Sequence, residues 1–316
     1  MENQKTQIRE SINPELAKTI AERTCVLEVH RSEPGFQKKI KSQLLLNGPN
    51  ASVNPKRLYA TKSIITSSQI RELERQKNQF FDRLKALSLP SGLLTIGNGQ
   101  YLILVSMADQ VKTMIEEFIE ERSALLDDFE ARYPAIIESA KESLGPLFDP
   151  SDYPPFSQVR NTYSLTYRFL SNSVPEELEK VSKELYESEK ARIQTLCSAE
   201  AEFIQSALRE QFLQLIAHFS SILGVDENSG KAKRFHGSNI DKVKDFVSSF
   251  REMNLTGDLE LEKLASKAEL LLSGLDPEKV RDDITFRFNL EEGFNEIKEA
   301  ASKLVTDRQR KVVFED

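Results

Sequence analysis

The chain has 316 residues, 29% of them charged and 39% aliphatic or aromatic, with 12 Gly, 12 Pro and a net charge of −7. That length can bury a real core in one large domain or two modest ones, and the composition suits a protein rich in long, solvated helices and excludes disorder along the whole chain. The acidic balance argues against a surface that grips nucleic acid all over, because phosphate binding needs clustered Lys and Arg to displace counterions.

Residues 1–12 are polar and read as frayed, and nothing there has the apolar centre of a signal peptide. Asn13-Pro14 then starts a short helix to Arg23, since Asn can cap while Pro occupies a position that needs no amide donor. "TCVLEVHR" (24–31) reads as a strand, and 33–62 as a turn-rich surface connection. Ser67 or Ser68 opens the next helix, in which Ile70, Leu73, Phe80, Leu84 and Leu87 keep helical spacing until Pro90. "LLTI", Gly97-Asn98-Gly99 and "YLILV" predict a β-hairpin (93–105).

From Ala108 the period changes to that of an amphipathic helix. Val111, Ile115, Phe118, Ile119, Arg122, Leu125, Leu126, Phe129, Ile136, Ile137, Ala140 and Leu144 lie along it, with a bend expected at Pro134. Residues 145–156 break the helix, and Tyr163, Leu165, Tyr167 and Phe169 alternate as in a half-buried strand at 161–171. A second long helix is expected over 174–223, about 70 Å if unbroken. One compact core cannot cover such a rod, so the 108–144 helix, about 50 Å long, is assigned as its antiparallel coiled-coil partner. Residues 224–239 lack an apolar period and read as a linker. Three more helices follow over 240–305, the last with a possible reset at Gly293, before a charged tail at 306–316.

Candidate chemistry is sparse. Gly97-Asn98-Gly99 is followed by a strand-like run rather than a helix and lacks the Gly-Lys-Ser/Thr of a phosphate loop, so it reads as a turn. His30, His218 and His236 are scattered, and Cys25 and His30 fall on opposite faces of their strand; no metal or cofactor is expected. Adjacent carboxylates such as Asp127-Asp128, Asp282-Asp283 and Glu291-Glu292 diverge by about 100° on a helix and form no dyad. No Gly-x-Ser-x-Gly elbow is present, so no enzyme is expected. Two thiols without a disulfide or zinc spacing suit a reducing compartment, and no apolar run approaches a membrane span, giving a cytoplasmic reading. The basic clusters Lys56, Arg57 and Lys62, then Lys231, Lys233 and Arg234, then Arg308, Arg310 and Lys311 are the candidate contacts to nucleic acid or to an acidic partner.

The order of "TCVLEV", "KRLYATKSIITSSQIRELERQKNQFFDRL", "YLILVSMADQVKTMIEEF", "LLDDFEARYPAII", "YSLTYRFLS" and "IDKVKDFVSSFREMNLTGDLELEKLASKAELLL" resembles an uncharacterised, domain-of-unknown-function family of phage and bacterial genomes, over residues 24–275. Its members sit beside genes for a MoxR-type AAA+ ATPase and a von Willebrand factor A protein. The resemblance implies a non-catalytic, phage-encoded partner of an AAA+ remodelling machine, and it brings no catalytic residues with it.

Together these readings predict an α+β, predominantly α-helical fold. A small antiparallel or mixed sheet, built within 24–107 and 157–171, sits at the base of a long antiparallel coiled-coil hairpin (108–144 and 174–223), and a C-terminal helical module (240–305) follows the linker. The expected function is a scaffold or adaptor that binds a protein through the arm, here an AAA+ ATPase or a von Willebrand factor A protein. A nucleic-acid-binding accessory protein is the alternative, and homo-oligomerisation through the same seam is left open.

Overall fold

The computed structural model describes residues 13–40, 60–225 and 232–305. The polar start of the chain, the middle of the 33–62 connection and the charged tail lie outside the described residues.

Local chemistry sets most element ends. Helix α1 (Pro14–Arg23) has Pro at its first position, and the Asn13 side chain accepts from the Leu16 N–H. Strand β1 (Thr24–Ser32) follows directly, with its first six residues largely buried. Strands β2 (Gln37–Lys39) and β3 (Thr61–Ser63) pair antiparallel, Lys38 opposite Lys62. Helix α2 (Ser68–Ala86) is capped by the Ser67 hydroxyl. Strand β4 (Gln100–Leu104) leads into α3 (Ala108–Leu144), which carries Pro134 in its interior. A short helix α4 (Phe156–Thr162) precedes β5 (Ser164–Ser171).

The 174–223 expectation resolves into α5 (Glu177–Val181) and α6 (Lys183–Leu223). Ser182 between them is extended, with φ −156° and ψ 111°, and its hydroxyl accepts the Leu185 N–H as an N-cap. Helices α7 (Ser238–Met253), α8 (Leu259–Leu272), α9 (Pro277–Asp282) and α10 (Ile284–Leu304) complete the chain. The break expected at Gly293 falls instead at Asp283, whose carboxylate caps α10. Gly293 is helical, and a Cβ there would sit 3.0 Å from the Leu271 side chain of α8, so close packing rather than a turn explains the glycine.

The predicted hairpin at 93–105 does not form. Only its second run becomes a strand, bridged at Leu102 to Leu89. Where the first run begins, the amides of Gly92 and Leu93 are taken by the Glu200 carboxylate of α6, at 3.2 and 2.8 Å. Gly97-Asn98-Gly99 is a turn: Gly99 has φ 80°, open to glycine at little cost, and the Gln100 side chain accepts the Gly97 N–H at 2.9 Å.

The fold class is α+β and predominantly α-helical, with a small antiparallel three-stranded sheet of order β4-β1-β5. The chain divides into two units, one of residues 1–26, 88–105 and 170–316 and the other of residues 27–87 and 106–169, and both β1 and β5 run from one into the other.

In the first unit α6 is the spine. Its buried Cys197, Ala201, Ile204, Leu208, Phe212, Ile216, Phe219 and Leu223 recur every three or four residues, and α1 and α10 pack along it. Phe219 lies 4.5 Å from Phe294 and 6.0 Å from Phe235, ring centre to ring centre. The carbonyls that end α6 are closed by Arg287 of α10, which donates to Ile222, Leu223 and Lys233. Residues 240–305, read from sequence as a module beyond a linker, thus lie in the same unit as α6.

In the second unit α2 packs on α3, and Leu73, Leu126, Phe129, Tyr133, Phe156 and Val159 form a core with Ile64 and Ile65. Two tyrosine hydroxyls tie the turns to it: Tyr133 donates to the Pro154 carbonyl at 3.0 Å and Tyr153 to the Ile64 carbonyl at 2.8 Å.

These packings correct the coiled-coil expectation. The apolar stripe of α3 is covered by α2 and α4, and that of α6 by α1, α7 and α10; the two long helices belong to different units. Each stripe needed an apolar partner, and each found one within its own unit. Among the described residues no helix is long and apolar enough to cross a membrane.

Candidate functional site: a basic, aromatic-floored cavity

The second unit holds a cavity of about 450 Å³. Arg31 and Glu33 reach it from the end of β1 and the turn that follows, Lys77 and Phe81 from α2, Phe118 and Arg122 from α3, Arg160 from α4, and Tyr163 from the junction of α4 with β5. The spacing explains why they converge. Lys77 and Phe81, like Phe118 and Arg122, stand four residues apart and so share a helix face. Glu33 precedes Pro34, which favours extended backbone at Glu33.

The charges are arranged around one carboxylate. Glu33 lies 3.7 Å from Arg31, 3.0 Å from Lys77 and 3.5 Å from Arg122. Arg122 is the most deeply set of these cations, only 8% exposed. Its guanidinium donates to the Gln76 side-chain oxygen at 2.8 Å and to the Leu73 carbonyl at 3.1 Å. Its flat face covers the Phe118 ring at 4.9 Å and the Tyr163 ring at 5.6 Å. Arg31 similarly lies 5.1 Å from the Phe81 ring centre. Arg160 is steadied from outside the cavity by Asp127 at 2.7 Å and Glu130 at 3.3 Å, and Lys77 by Glu74. Burial pulls the Arg122 guanidinium below its ordinary value, with Glu33 opposing that drift, and burial pushes the Tyr163 hydroxyl up, so it stays protonated.

Among the described residues the lining therefore carries four cations and one carboxylate over an aromatic floor, with no histidine or cysteine. Such a set has the chemistry to hold an anion bearing flat or apolar groups.

The sequence-predicted contacts are placed elsewhere. Lys62 is turned inward, pairing with Asp152 at 2.7 Å and donating to the Leu147 carbonyl at 2.5 Å. Lys233 and Arg234 are exposed in the first unit, with the Lys233 ammonium on the Ser221 carbonyl at 3.0 Å. Lys56, Arg57, Lys231, Arg308, Arg310 and Lys311 lie outside the described residues.

Of the other groups considered, His30 is exposed and 3.2 Å from Glu28, which also pairs with Arg168. Asp127 and Asp128 diverge, one toward Arg160 and the other toward Arg132 and Gln69. Cys197 is fully buried, and burial, with Glu200 nearby, pushes its thiol up to about 11. Among the described residues no group of three or more His, Cys, Asp or Glu could hold a metal ion.

Sequence reasoning missed this cavity, though it contained a signal. Arg122 falls in register with the apolar series of α3, where a charge survives only if it is paired or hydrogen-bonded. Its partners, Gln76 and Glu33, lie 46 and 89 residues away, and no local pattern announces them. Compared with known proteins, the chain matches no family model, no curated protein and no solved structure.

Proposed function

We propose that the chain is a non-catalytic binding module, and that the cavity of its second unit captures an acidic segment of a protein partner. One observation carries this reading: Arg31, Lys77, Arg122 and Arg160, from four different elements, converge on an aromatic-floored cavity whose lining, among the described residues, holds a single carboxylate. Among the described residues that lining has one carboxylate and no histidine or cysteine, a set that supplies binding rather than paired acid–base chemistry. A recess of this volume accepts one or two side chains, whereas nucleic acid is held along an open basic groove that tracks its backbone. The scaffold or adaptor role expected from the sequence is retained, with the cavity replacing the helical arm as the contact. The family resemblance puts a MoxR-type AAA+ ATPase and a von Willebrand factor A protein first among partners to test.

Isothermal titration with N-acetyl-hexaglutamate, with hexaglutamine and with a twelve-residue oligothymidine tests the class of ligand. Binding of hexaglutamate alone, lost in Arg31→Glu and Arg160→Glu, is the expected outcome. Binding of the oligothymidine alone, with a steep dependence on salt, overturns it in favour of nucleic acid. The same two variants should fail to retain the ATPase or the von Willebrand factor A protein in a pull-down that the unaltered chain supports.

A further inference from the structure

We infer that Glu33 is the cavity's resident anion and that an entering acidic side chain displaces it, so that this one residue sets the affinity of the site. The inference rests on the binding reading above and adds its regulation. Among the described residues Glu33 is the only carboxylate in the lining, and it lies within 3.0–3.7 Å of cations from the end of β1, from α2 and from α3. A carboxylate arriving from a partner meets the same three cations, and geometry that suits one suits the other.

Two features make Glu33 an exchangeable occupant rather than a fixed strut. It stands between the last residue of β1, Ser32, and the first of β2, Gln37, outside both strands, and its side chain remains 25% exposed. The cations, by contrast, keep their places without it: Arg122 is held by Gln76 and the Leu73 carbonyl, and Lys77 by Glu74. Exchange is also coupled. Leaving the buried Arg122 guanidinium without a counter-charge is costly, so Glu33 departs as the ligand carboxylate arrives and not before. An internal anion resident about nine-tenths of the time lowers the apparent affinity about tenfold.

The experiment is titration of N-acetyl-hexaglutamate into the full chain, into Glu33→Gln and into Glu74→Gln. Glu74→Gln makes the same change of net charge on a residue that also pairs with Lys77 but does not line the cavity. The inference expects tighter binding by about tenfold in Glu33→Gln and less than about twofold in Glu74→Gln. Equal gains in the two variants assign the effect to net charge and overturn it. Binding by the unaltered chain that is lost in Arg31→Glu but unchanged or weakened in Glu33→Gln also overturns it, and leaves the cavity reading standing. Failure of the unaltered chain and Glu33→Gln alike to bind hexaglutamate removes both. Should Glu33→Gln not fold, the carboxyl carbon resonance of Glu33 in the unaltered chain, assigned by its loss in Glu33→Asp, decides. It shifts toward that of a solvated glutamate on peptide saturation if Glu33 is displaced, and a stationary resonance in the peptide-bound chain rejects displacement.

Discussion

Asp258 shows how much one side chain can organise. Its carboxylate caps α8 by accepting the Leu261 N–H at 3.2 Å and pairs with Arg209 of α6 at 2.6 and 3.1 Å. Arg209 donates in turn to the Leu304 carbonyl that ends α10, so one ion pair joins three helices of the first unit. Burial by itself would raise the Asp258 carboxyl, but the hydrogen bonds from Arg209 and from the Leu261 N–H hold it below the ordinary carboxylate value. A group depressed in the folded state adds stability above its unfolded value, about pH 4, and loses it as pH falls through the folded value. Asp258→Asn keeps an acceptor for the cap and removes the charge, leaving Arg209, among the described residues, with only Glu260, at 3.8 Å, as counter-charge, at a cost of about 2 kcal/mol for the lost charged hydrogen bonds. Urea unfolding of both proteins should show that gap at pH 7 and a narrowing gap below pH 4. A gap that stays constant down to pH 2 assigns the cost to geometry instead of charge. Caps whose reach is local, such as Asn13 and Ser67, were legible in the sequence, whereas the Asp258–Arg209 pair spans 49 residues and was not.

At the scale of elements the same distinction holds. The two long helices declare themselves because an amphipathic stripe repeats many times, and α3 begins and ends at the residues expected from its pattern. Single events are harder to read. The break at Ser182 depends on one hydroxyl capping one amide, and the start of the expected hairpin is held by Glu200, more than 100 residues beyond the amides it binds. Glu200 is fully buried and holds the chain at Gly92 and Leu93 in the first unit. Glu200→Ala removes the carboxylate that takes the Gly92 and Leu93 amides and hands these donors, on exposed residues, to water, costing about 1–3 kcal/mol for the two charged hydrogen bonds. Hydrogen exchange should then accelerate at those two amides while the Leu89 amide, bonded to Leu102 at 2.7 Å, keeps its protection. If all three amides exchange alike in the variant, the bridge to β4 depends on Glu200 as well, and the segment opens as a whole.

For the whole molecule, hydrophobic pattern specified how much surface each long helix must bury but not which element would bury it. A stripe of Val111, Ile115, Phe118 and Phe129 is satisfied equally by another rod or by α2 and α4, because apolar burial is non-directional and scales with area. Division of the chain into two units, each interrupted by segments of the other, carries a testable consequence. Phe129 is fully buried against Tyr133 and Phe156 in the second unit, and Phe219 is 1% exposed against Phe235 and Phe294 in the first. Truncating either to alanine should cost about 3–5 kcal/mol, the loss of a buried ring plus the cavity left behind. Separate cores predict that Phe129→Ala accelerates hydrogen exchange across α2, α3 and α4, and that Phe219→Ala does so across α6, α7, α8 and α10, each leaving the other set protected. Acceleration of both sets by either substitution instead makes the chain one cooperative block. In that case β1 and β5, which run through both units, transmit the loss of either core to the other, and a variant that empties one core would disturb the binding cavity even from the unit that does not contain it.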